Sequence, residues 1–232
     1  MRYVSVRTLA AALVSFHLAF PSMAAVVIQG TRVVYPSNER EMSVKIENPG
    51  DAPALIQAWV DDGDPGLTPE KSRAPFLLTP PVSRINAGKS QTLRLFFNGG
   101  TLPEDKESLF WLNVLDVPPS YKNKQNQLQV AFRSRLKLIY RPEKLAAKAG
   151  QSMQSVQWRY VKSGIEGFNP TPYFVSFSKI SADRVGKQDI AQGGMLAPGG
   201  KILLPVTKRV GVIYPFYIDD GGGIKPVESK VL

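Results

Sequence analysis

The side chains of this chain that could do chemistry are carboxylates, lysines, arginines and tyrosines. The sequence has no cysteine, and its single histidine is His17, inside an N-terminal segment that we expect to be removed. Without imidazole or thiol, the mature protein has no Ser-His-Asp or Cys-His nucleophile and no His or Cys ligand for zinc or haem. A hydrolase that uses paired carboxylates therefore stays as the enzymatic alternative.

Two other groups of residues suggest a ligand site but lack its spacing. The acidic run Asp61-Asp-Gly-Asp64 has neither the ligand spacing nor the closing glutamate of an EF-hand, so we expect a solvated turn rather than a calcium site. The glycine pairs match neither a phosphate-binding loop nor a dinucleotide fingerprint. The sequence therefore predicts no metal and no cofactor.

The charge balance is basic, with 29 Lys plus Arg against 19 Asp plus Glu and a formal net charge of +10. The cations are scattered rather than gathered in one run, and no nucleic-acid module is visible, so nucleic acid is not an expected partner. We interpret most of these cations as solvated surface and two or three as binding groups for carboxylates.

The first 24 residues have the pattern of a secretory signal. Arg2 and Arg7 precede an apolar run that ends at Phe20, and small residues follow as far as Ala24. This pattern predicts a signal peptide over residues 1–24. The run is too short for a convincing membrane span, and no second long apolar segment follows, so we expect an exported protein without membrane insertion.

The elements that must position the charged residues are predicted to be β-strands, and the longest runs from Leu128 to Pro142. It alternates with period two, which is a strand pattern. Fully extended it would cover roughly 40 Å, about twice an ordinary strand, so part of its apolar face should outrun its own core. Such a strand can be lent to another protein. The parity opposite the apolar one carries Arg133, Arg135, Lys137, Ile139 and Arg141.

Shorter alternating runs, separated by Pro, Gly, Asn and Asp, fill the rest of the chain, and no stretch shows the helical period over several turns. This organisation predicts an all-β protein built from sandwiches. The strand rhythm is broken after Pro142 and resumes beyond Gln151. We predict two β domains, residues 25–145 and 151–232, joined by a brief linker.

Four motifs occur in the order and spacing seen in the periplasmic pilus chaperones of chaperone/usher systems, and the chain resembles that family over almost its whole mature length. The resemblance implies two immunoglobulin-like β-sandwich domains in a boomerang arrangement. The short loop before the long strand and the missing cysteine resemble the short-loop branch of the family. The motifs are Thr31-Arg-Val-Val-Tyr-Pro36, Glu107-Ser-Leu-Phe-Trp-Leu-Asn113, Leu136-Lys-Leu-Ile-Tyr-Arg-Pro142 and Asn169-Pro-Thr-Pro-Tyr173.

The resemblance implies that Arg32 and Lys137 anchor the C-terminal carboxylate of a pilus subunit. Two cations in a cleft can form charge-assisted hydrogen bonds to a carboxylate, each contributing about 1.5–3 kcal/mol. The alternative is that they are surface cations or part of a structural ion pair. Only the motif distinguishes them from other basic residues of the long strand, Arg133, Arg135 and Arg141.

Leu128, Val130 and Phe132 match the alternating residues that, in this family, enter the groove of a subunit lacking its last strand. The alternative is that they fill the core of their own domain. Their position favours donation, because they precede Lys137 by nine, seven and five residues, beside a polar loop where a sandwich runs out of core.

Glu107, Arg141 and Asp220 match a network that, in the family, looks like a salt bridge across the cleft between the domains. Asp219 competes with Asp220 for this role, because the sequence around the two departs from the usual family pattern.

The resemblance implies a periplasmic chaperone, not an enzyme, that binds fimbrial or pilus subunits, completes their fold with its own strand and delivers them to an outer-membrane usher. Whether the free protein covers its exposed strand by self-association stays open. The first alternative is a secreted two-domain structural or adhesin subunit, which would need a donor strand near its mature N-terminus. The second is the carboxylate hydrolase. The absence of histidine from the mature chain already limits the catalytic groups that such an enzyme could use.

Overall fold

The first domain is a sandwich of two β-sheets. The computed structural model of the protein describes residues 26–117, 130–206 and 209–232, so the expected signal peptide and Leu128 lie outside the described residues. A 3₁₀ turn at Pro69–Lys71 is the described helical element of this domain. Its strands are β1 (Val27–Ile28), β2 (Arg32–Pro36), β3 (Met42–Glu47), β4 (Ala54–Asp61), β5 (Phe76–Thr79), β6 (Val82–Ile85), β7 (Ser90–Phe97), β8 (Ser108–Val117) and β9 (Phe132–Arg141).

The two sheets of this domain have the strand orders β1-β3-β7-β5 and β2-β9-β8-β4-β6. Side chains from both sheets form one buried cluster, to which β7 contributes Leu95, β8 contributes Leu112 and β9 contributes Leu138. The alternation that the sequence shows is what fills this core, because every second side chain of a strand points to the same face. The charged side chains of β9, which alternate with the core-facing ones, lie on the opposite face of this sheet.

The N-terminal strand changes sheets, and this decides which part of β9 is covered. β1 pairs with β3 in one sheet, whereas β2 pairs in parallel with β9 in the other. Gly30 lies between them with a φ of +90°, a left-handed conformation that glycine adopts without a steric penalty. Because β2 begins at Arg32, it covers only the second half of β9, from Lys137 to Arg141.

The long strand is shorter in the structure than the sequence pattern predicts. It begins at Phe132, and Val130 and Ala131 are not part of a strand. The neighbour β8 ends at Val117, and its Asp116 already lies opposite Phe132, so the residues before Phe132 have no partner in the described part of the chain.

The second domain has its own core, separate from the first. Trp158, Phe177 and Tyr217 are buried there with edge-to-face ring contacts. The sheets have the orders β10-β11-β14 and β13-β12-β15-β16, with β17 also pairing to β15. The strands are β10 (Gln157–Val161), β11 (Gly164–Phe168), β12 (Val175–Ser181), β13 (Asp189–Leu196), β14 (Lys201–Leu204), β15 (Val212–Ile218), β16 (Ile224–Pro226) and β17 (Ser229–Lys230).

A 3₁₀ segment, Glu143–Ser155, connects the domains where the sequence predicts a linker. Two hydrogen bonds fix the second domain against this segment and against the first domain. The Tyr173 hydroxyl donates to the Leu145 carbonyl oxygen at 2.7 Å, and the Glu107 backbone N–H donates to the Pro172 carbonyl oxygen at 2.9 Å.

Candidate functional site

Arg32 and Lys137 are direct neighbours where β2 and β9 pair, and they lie on the outer face of the sheet. Both side chains reach toward the second domain. Lys137 Nζ donates to Ser176 Oγ at 3.2 Å, and Arg32 Nη1 donates to the Ile218 carbonyl oxygen at 3.2 Å. The structure therefore brings the two predicted cations together at the junction of the domains.

These two half-buried cations have no counter-ion among the described residues. Neither Arg32 nor Lys137 has a carboxylate oxygen within 4 Å in that part of the chain, and the buried Nε of Arg32 has no hydrogen-bond partner there. Burial, and then the charge of Arg32, lower the pKa of Lys137. Burial also lowers the pKa of Arg32, against the opposing charges of Asp220 and Asp219. A bound anion would relieve this repulsion, and a carboxylate has the geometry to accept from both donors.

Arg141, four residues further along β9, is in the opposite situation. Its Nε donates to Glu107 Oε1 at 2.6 Å, and its Nη1 and Nη2 donate to Asp220 Oδ2 and Oδ1 at 2.6 and 3.0 Å. Asp219 instead accepts from the Gly223 backbone N–H at 2.7 Å, within a turn. The structure thus joins Glu107, Arg141 and Asp220 across the two domains and leaves Asp219 outside this network.

Glu107 is the most deeply buried member of the network, with a side chain that is 0% exposed. Its second oxygen, Oε2, accepts from the Phe174 backbone N–H of the second domain at 2.7 Å. Burial raises the pKa of Glu107, and this hydrogen bond and Arg141 oppose the rise. Burial opposes the charged form of Arg141, but Asp220 and Glu107 outweigh it and raise the pKa of Arg141. The network is therefore a closed set of charges that links the domains.

The first half of β9, Phe132–Leu136, pairs with β8 on one edge only within the described part of the chain. Its backbone N–H and C=O groups on the other edge are available for a further strand. Phe132 shares the core-facing parity of Leu136, yet it is 57% exposed, whereas Leu136 is buried. Val130, on the same parity, is 45% exposed. The apolar face of this strand does outrun the core of its own domain.

Sequence reasoning missed a third charged group, formed by Asp61, Asn113 and Arg135. The expectation of a solvated turn at Asp61 is wrong, because Asp61 is 0% exposed and accepts from Arg135 Nη2 at 2.7 and 3.0 Å. Arg135 Nε also donates to Asn113 Oδ1 at 3.1 Å. A signal was present: Asp61 continues the alternation of Trp59 on β4, which places both on the outer face beside β8.

None of the helical elements within residues 26–117, 130–206 and 209–232 combines the length and the apolar composition that a membrane span requires. The same ranges hold no group of three or more His, Cys, Asp or Glu side chains placed to bind a metal ion.

Comparison with known proteins identifies the family of this chain. Residues 25–146 match the family model of the pili and flagellar-assembly chaperone PapD, N-terminal domain, and residues 151–229 match that of the pili assembly chaperone PapD, C-terminal domain. The chain belongs to the PapD family of pili assembly chaperones. The resemblance found in the sequence motifs is thereby confirmed.

Relatives in this family match nearly end to end. The chain is 41% identical to the chaperone protein FimB/FhaD of Bordetella pertussis, over 99% of this chain and 97% of that protein. It is 40% identical to the probable fimbrial chaperone YadV of Escherichia coli, over 87% of this chain and 88% of that protein.

Solved structures confirm the expected all-β, two-domain chaperone fold. The CupB2 chaperone of Pseudomonas aeruginosa has a TM-score of 0.78 and 34% identity, covering 89% of this chain and 100% of that one. The Salmonella enterica SafB chaperone, solved in complex with the SafA pilin, gives a TM-score of 0.76 and 27% identity, covering 91% of this chain and 98% of that one.

Proposed function

We propose that this protein is a periplasmic chaperone that binds incomplete fimbrial subunits, completes their fold with the first half of β9, and delivers them to an outer-membrane usher. The observation that carries the proposal is the open edge of Phe132–Leu136, which ends at two cations without a counter-ion in the described chain. An open edge pairs with a strand, and the cations bind the carboxylate at the end of that strand.

The geometry of the edge gives the direction of the client strand. β2 occupies the edge of β9 from Lys137 onward, so a client can approach Lys137 only along Phe132–Leu136. A client whose C-terminal carboxylate binds Arg32 and Lys137 therefore runs in the same direction as β9. Main-chain hydrogen bonds along the edge supply affinity, and the cation pair selects a free chain end.

The exposed apolar side chains supply the second part of the interaction. Phe132 and Val130 lie on the parity that faces the client's interior once the client strand is added to the sheet, and Leu128 belongs to the same parity. An unfinished subunit sandwich exposes an apolar groove that accepts such side chains. Each residue that is buried there contributes about 1.5–3 kcal/mol.

The network of Glu107, Arg141 and Asp220 holds the second domain in the orientation that places Ser176 and Ile218 beside the cation pair. In this proposal the network does not touch the client. The relatives support the assignment to subunit binding, since the SafB chaperone was solved in complex with the SafA pilin.

The proposal is tested by affinity purification of the full-length protein from the periplasm of a bacterium that carries its fimbrial operon, followed by mass spectrometry. We expect a fimbrial subunit to co-purify with the wild-type protein and to be lost with Lys137→Ala, because removing one partner of such a contact costs about 2–5 kcal/mol. Lys89→Ala, at an exposed turn lysine, is the matched control and should retain the subunit.

Two outcomes would contradict the proposal. Recovery of the protein itself in the sheared pilus fraction would indicate a structural subunit instead. Equal subunit yields from the wild type and Lys137→Ala, with both folded by circular dichroism, would exclude the carboxylate anchor.

A further inference from the structure

From Arg133 to Lys137 the outer face of β9 carries a cation at every second residue, and this pattern creates a problem of register. Arg133, Arg135 and Lys137 all project from the same face. A client strand that slips by one residue turns its apolar side chains to the wrong face and is rejected. A slip by two residues keeps every side chain on its correct face and would place the client carboxylate beside Arg135 instead of Lys137.

Arg135 does not present a free charge, because Asp61 neutralises it from β4, on the far side of β8. Asp61 on β4 contacts its Nη2 with both carboxylate oxygens, at 2.7 and 3.0 Å, and Asn113 on β8 accepts from its Nε at 3.1 Å. The guanidinium also lies over the Trp111 ring, 4.8 Å from the centroid. All three partners lie on the β8 side of β9, so Arg135 leans away from the edge that a client would approach.

The carboxylate of Asp61 has a full set of donors. In addition to Arg135, the Asn113 side-chain Nδ2 donates to Oδ2 at 2.6 Å, and the Gly63 backbone N–H donates to Oδ1 at 2.8 Å. Such a buried, fully hydrogen-bonded carboxylate holds its partner in a single orientation. Asp61 therefore fixes the orientation of the Arg135 side chain in addition to neutralising its charge.

Arg133 is a weaker competitor for a different reason. Its Nη2 donates to the Pro65 carbonyl oxygen at 2.6 Å, and its guanidinium lies 5.9 Å from the centroid of the Trp59 ring, also away from the open edge. A client carboxylate beside Arg133 would be four residues out of register. Only one residue of the five-residue edge Phe132–Leu136 would then stay paired, so most main-chain hydrogen bonds would be lost.

We infer that Asp61, supported by Asn113, determines the register of the client strand by neutralising Arg135. Within the described part of this edge, the cations at the junction of β2 and β9 are then the only pair that can attract a terminal carboxylate. Asp61 is a specificity-determining residue that never touches the client. The inference rests on the proposed function, and it predicts that freeing Arg135 admits a second register, two residues from the first.

Register can be measured by disulfide cross-linking, because the chain has no cysteine of its own. Ser134→Cys introduces a single thiol at an exposed position between Phe132 and Leu136. The client is the subunit that co-purifies with the wild-type protein, carrying one cysteine at the position that cross-links best. A second client variant carries the cysteine two residues closer to its C-terminus, which a two-residue slip brings opposite residue 134.

With the wild-type residue at position 61, we expect the first client variant to cross-link and the second to cross-link hardly at all. Asp61→Asn, which keeps the size and hydrogen-bonding oxygen of the side chain, should raise the ratio of slipped to in-register product by about tenfold or more, the effect of one charge-assisted contact. The double variant Asp61→Asn/Arg135→Gln should return to the wild-type ratio, since the competing cation is gone. Asp62→Asn, the same change at an exposed neighbour, should leave the ratio unchanged.

An unchanged ratio in folded Asp61→Asn would overturn the inference, and so would a raised ratio that persists in the double variant, because Asp61 would then act through the fold alone. If Asp61→Asn melts below the assay temperature, Arg135→Lys serves instead. It keeps a cation, but it lacks the Nε–H that donates to Asn113, and its shorter side chain does not reach the position from which Nη2 contacts Asp61. An unchanged ratio there counts equally against the inference. Failure of any subunit to co-purify with the wild type would refute the proposed function before register is measured.

Discussion

The two halves of β9 are built in opposite ways although they belong to one continuous strand. In the second half, Lys137–Arg141, the residues as far as Tyr140 pair on both edges, and Arg141 is enclosed by two carboxylates. The first half, Phe132–Leu136, pairs on one edge in the described chain and exposes an aromatic side chain. Lys137 lies at the boundary, with a hydrogen bond to Ser176 but no counter-ion among the described residues.

This difference separates the charges that stabilise the fold from those that we propose for partner binding. A buried cation with carboxylate partners is stabilised within the fold, and its loss leaves those carboxylates unpaired. A half-buried cation beside another cation is destabilising until an anion arrives. The state of neutralisation, rather than the residue type, separates the structural half of β9 from the half that we propose for binding.

The largest effect is expected from Arg141→Ala. This change leaves the buried carboxylate of Glu107 without its cation and should lower the free energy of unfolding by about 3–5 kcal/mol. Urea denaturation followed by tryptophan fluorescence measures the loss. Asp220→Asn is the control, because Asp220 is 53% exposed and its ion pair should contribute no more than about 1 kcal/mol. Equal losses from the two variants would show that the network is not anchored on Glu107.

Phe132→Glu tests the other half of the strand and should act on binding rather than folding. Phe132 is 57% exposed in the free protein, so a charge there should leave the melting temperature nearly unchanged. In the complex it would have to be buried, so client binding should weaken by at least about 1.5–3 kcal/mol. Leu77→Glu is the matched control, since Leu77 on β5 is equally exposed, at 57%.

Co-purification and thermal melts of both variants distinguish donation from core packing. A large drop in melting temperature for Phe132→Glu would place this side chain in the core of its own domain. Loss of client from Leu77→Glu as well would show that added negative charge, and not the position on β9, is responsible.

Periodicity and motif order along the chain predict much of this fold. The period-two runs predict an all-β chain, and the motifs around Arg32, Lys137 and Arg141 predict residues that the fold brings into two clusters. Those features depend on residues close together in the sequence, so short sequence patterns are enough to predict them. The start of β9 is not predictable in this way, because it depends on where its neighbour β8 ends.

The group around Asp61 shows what a linear pattern leaves out. Asp61 and Arg135 are 74 residues apart, and their pairing follows from the register of β4 on β8 and of β8 on β9. Local composition around Asp61, with two more aspartates and glycine, favours a solvated turn. Cross-strand register instead places Asp61 against Arg135. The alternation along β4 indicates the face on which Asp61 lies, but it does not identify a partner 74 residues away.

A pH series sharpens the contrast at Arg141. Glu107 has a raised pKa in the folded state, so it contributes stability at low pH that is lost as the pH rises through that pKa. Arg141 opposes this rise, so the pKa of Glu107 is higher in Arg141→Ala. More stability is therefore lost as the pH rises through that pKa. The stability gap between wild type and variant should therefore be widest near pH 7 and narrow toward about pH 4–5. Thermal melts across this range measure the gap.

The double variant Glu107→Gln/Arg141→Ala is the control for this pH series. It lacks the titrating carboxylate, so its deficit relative to Glu107→Gln should be nearly independent of pH. If the stability difference between the wild type and Arg141→Ala does not change with pH, groups other than Glu107 cause the pH dependence of stability.

The smallest effect is expected from Lys137→Met, which tests the boundary between the two halves. The change removes the repulsion between Lys137 and Arg32 and the cost of burying the ammonium, but it also removes the hydrogen bond to Ser176. These effects oppose each other, so the free energy of unfolding should change by less than about 1 kcal/mol. Urea denaturation beside Arg141→Met, which removes a neutralised cation from the same strand, measures the contrast. If both variants lose stability equally, Lys137 is neutralised within the fold, and its charge is not held for a client.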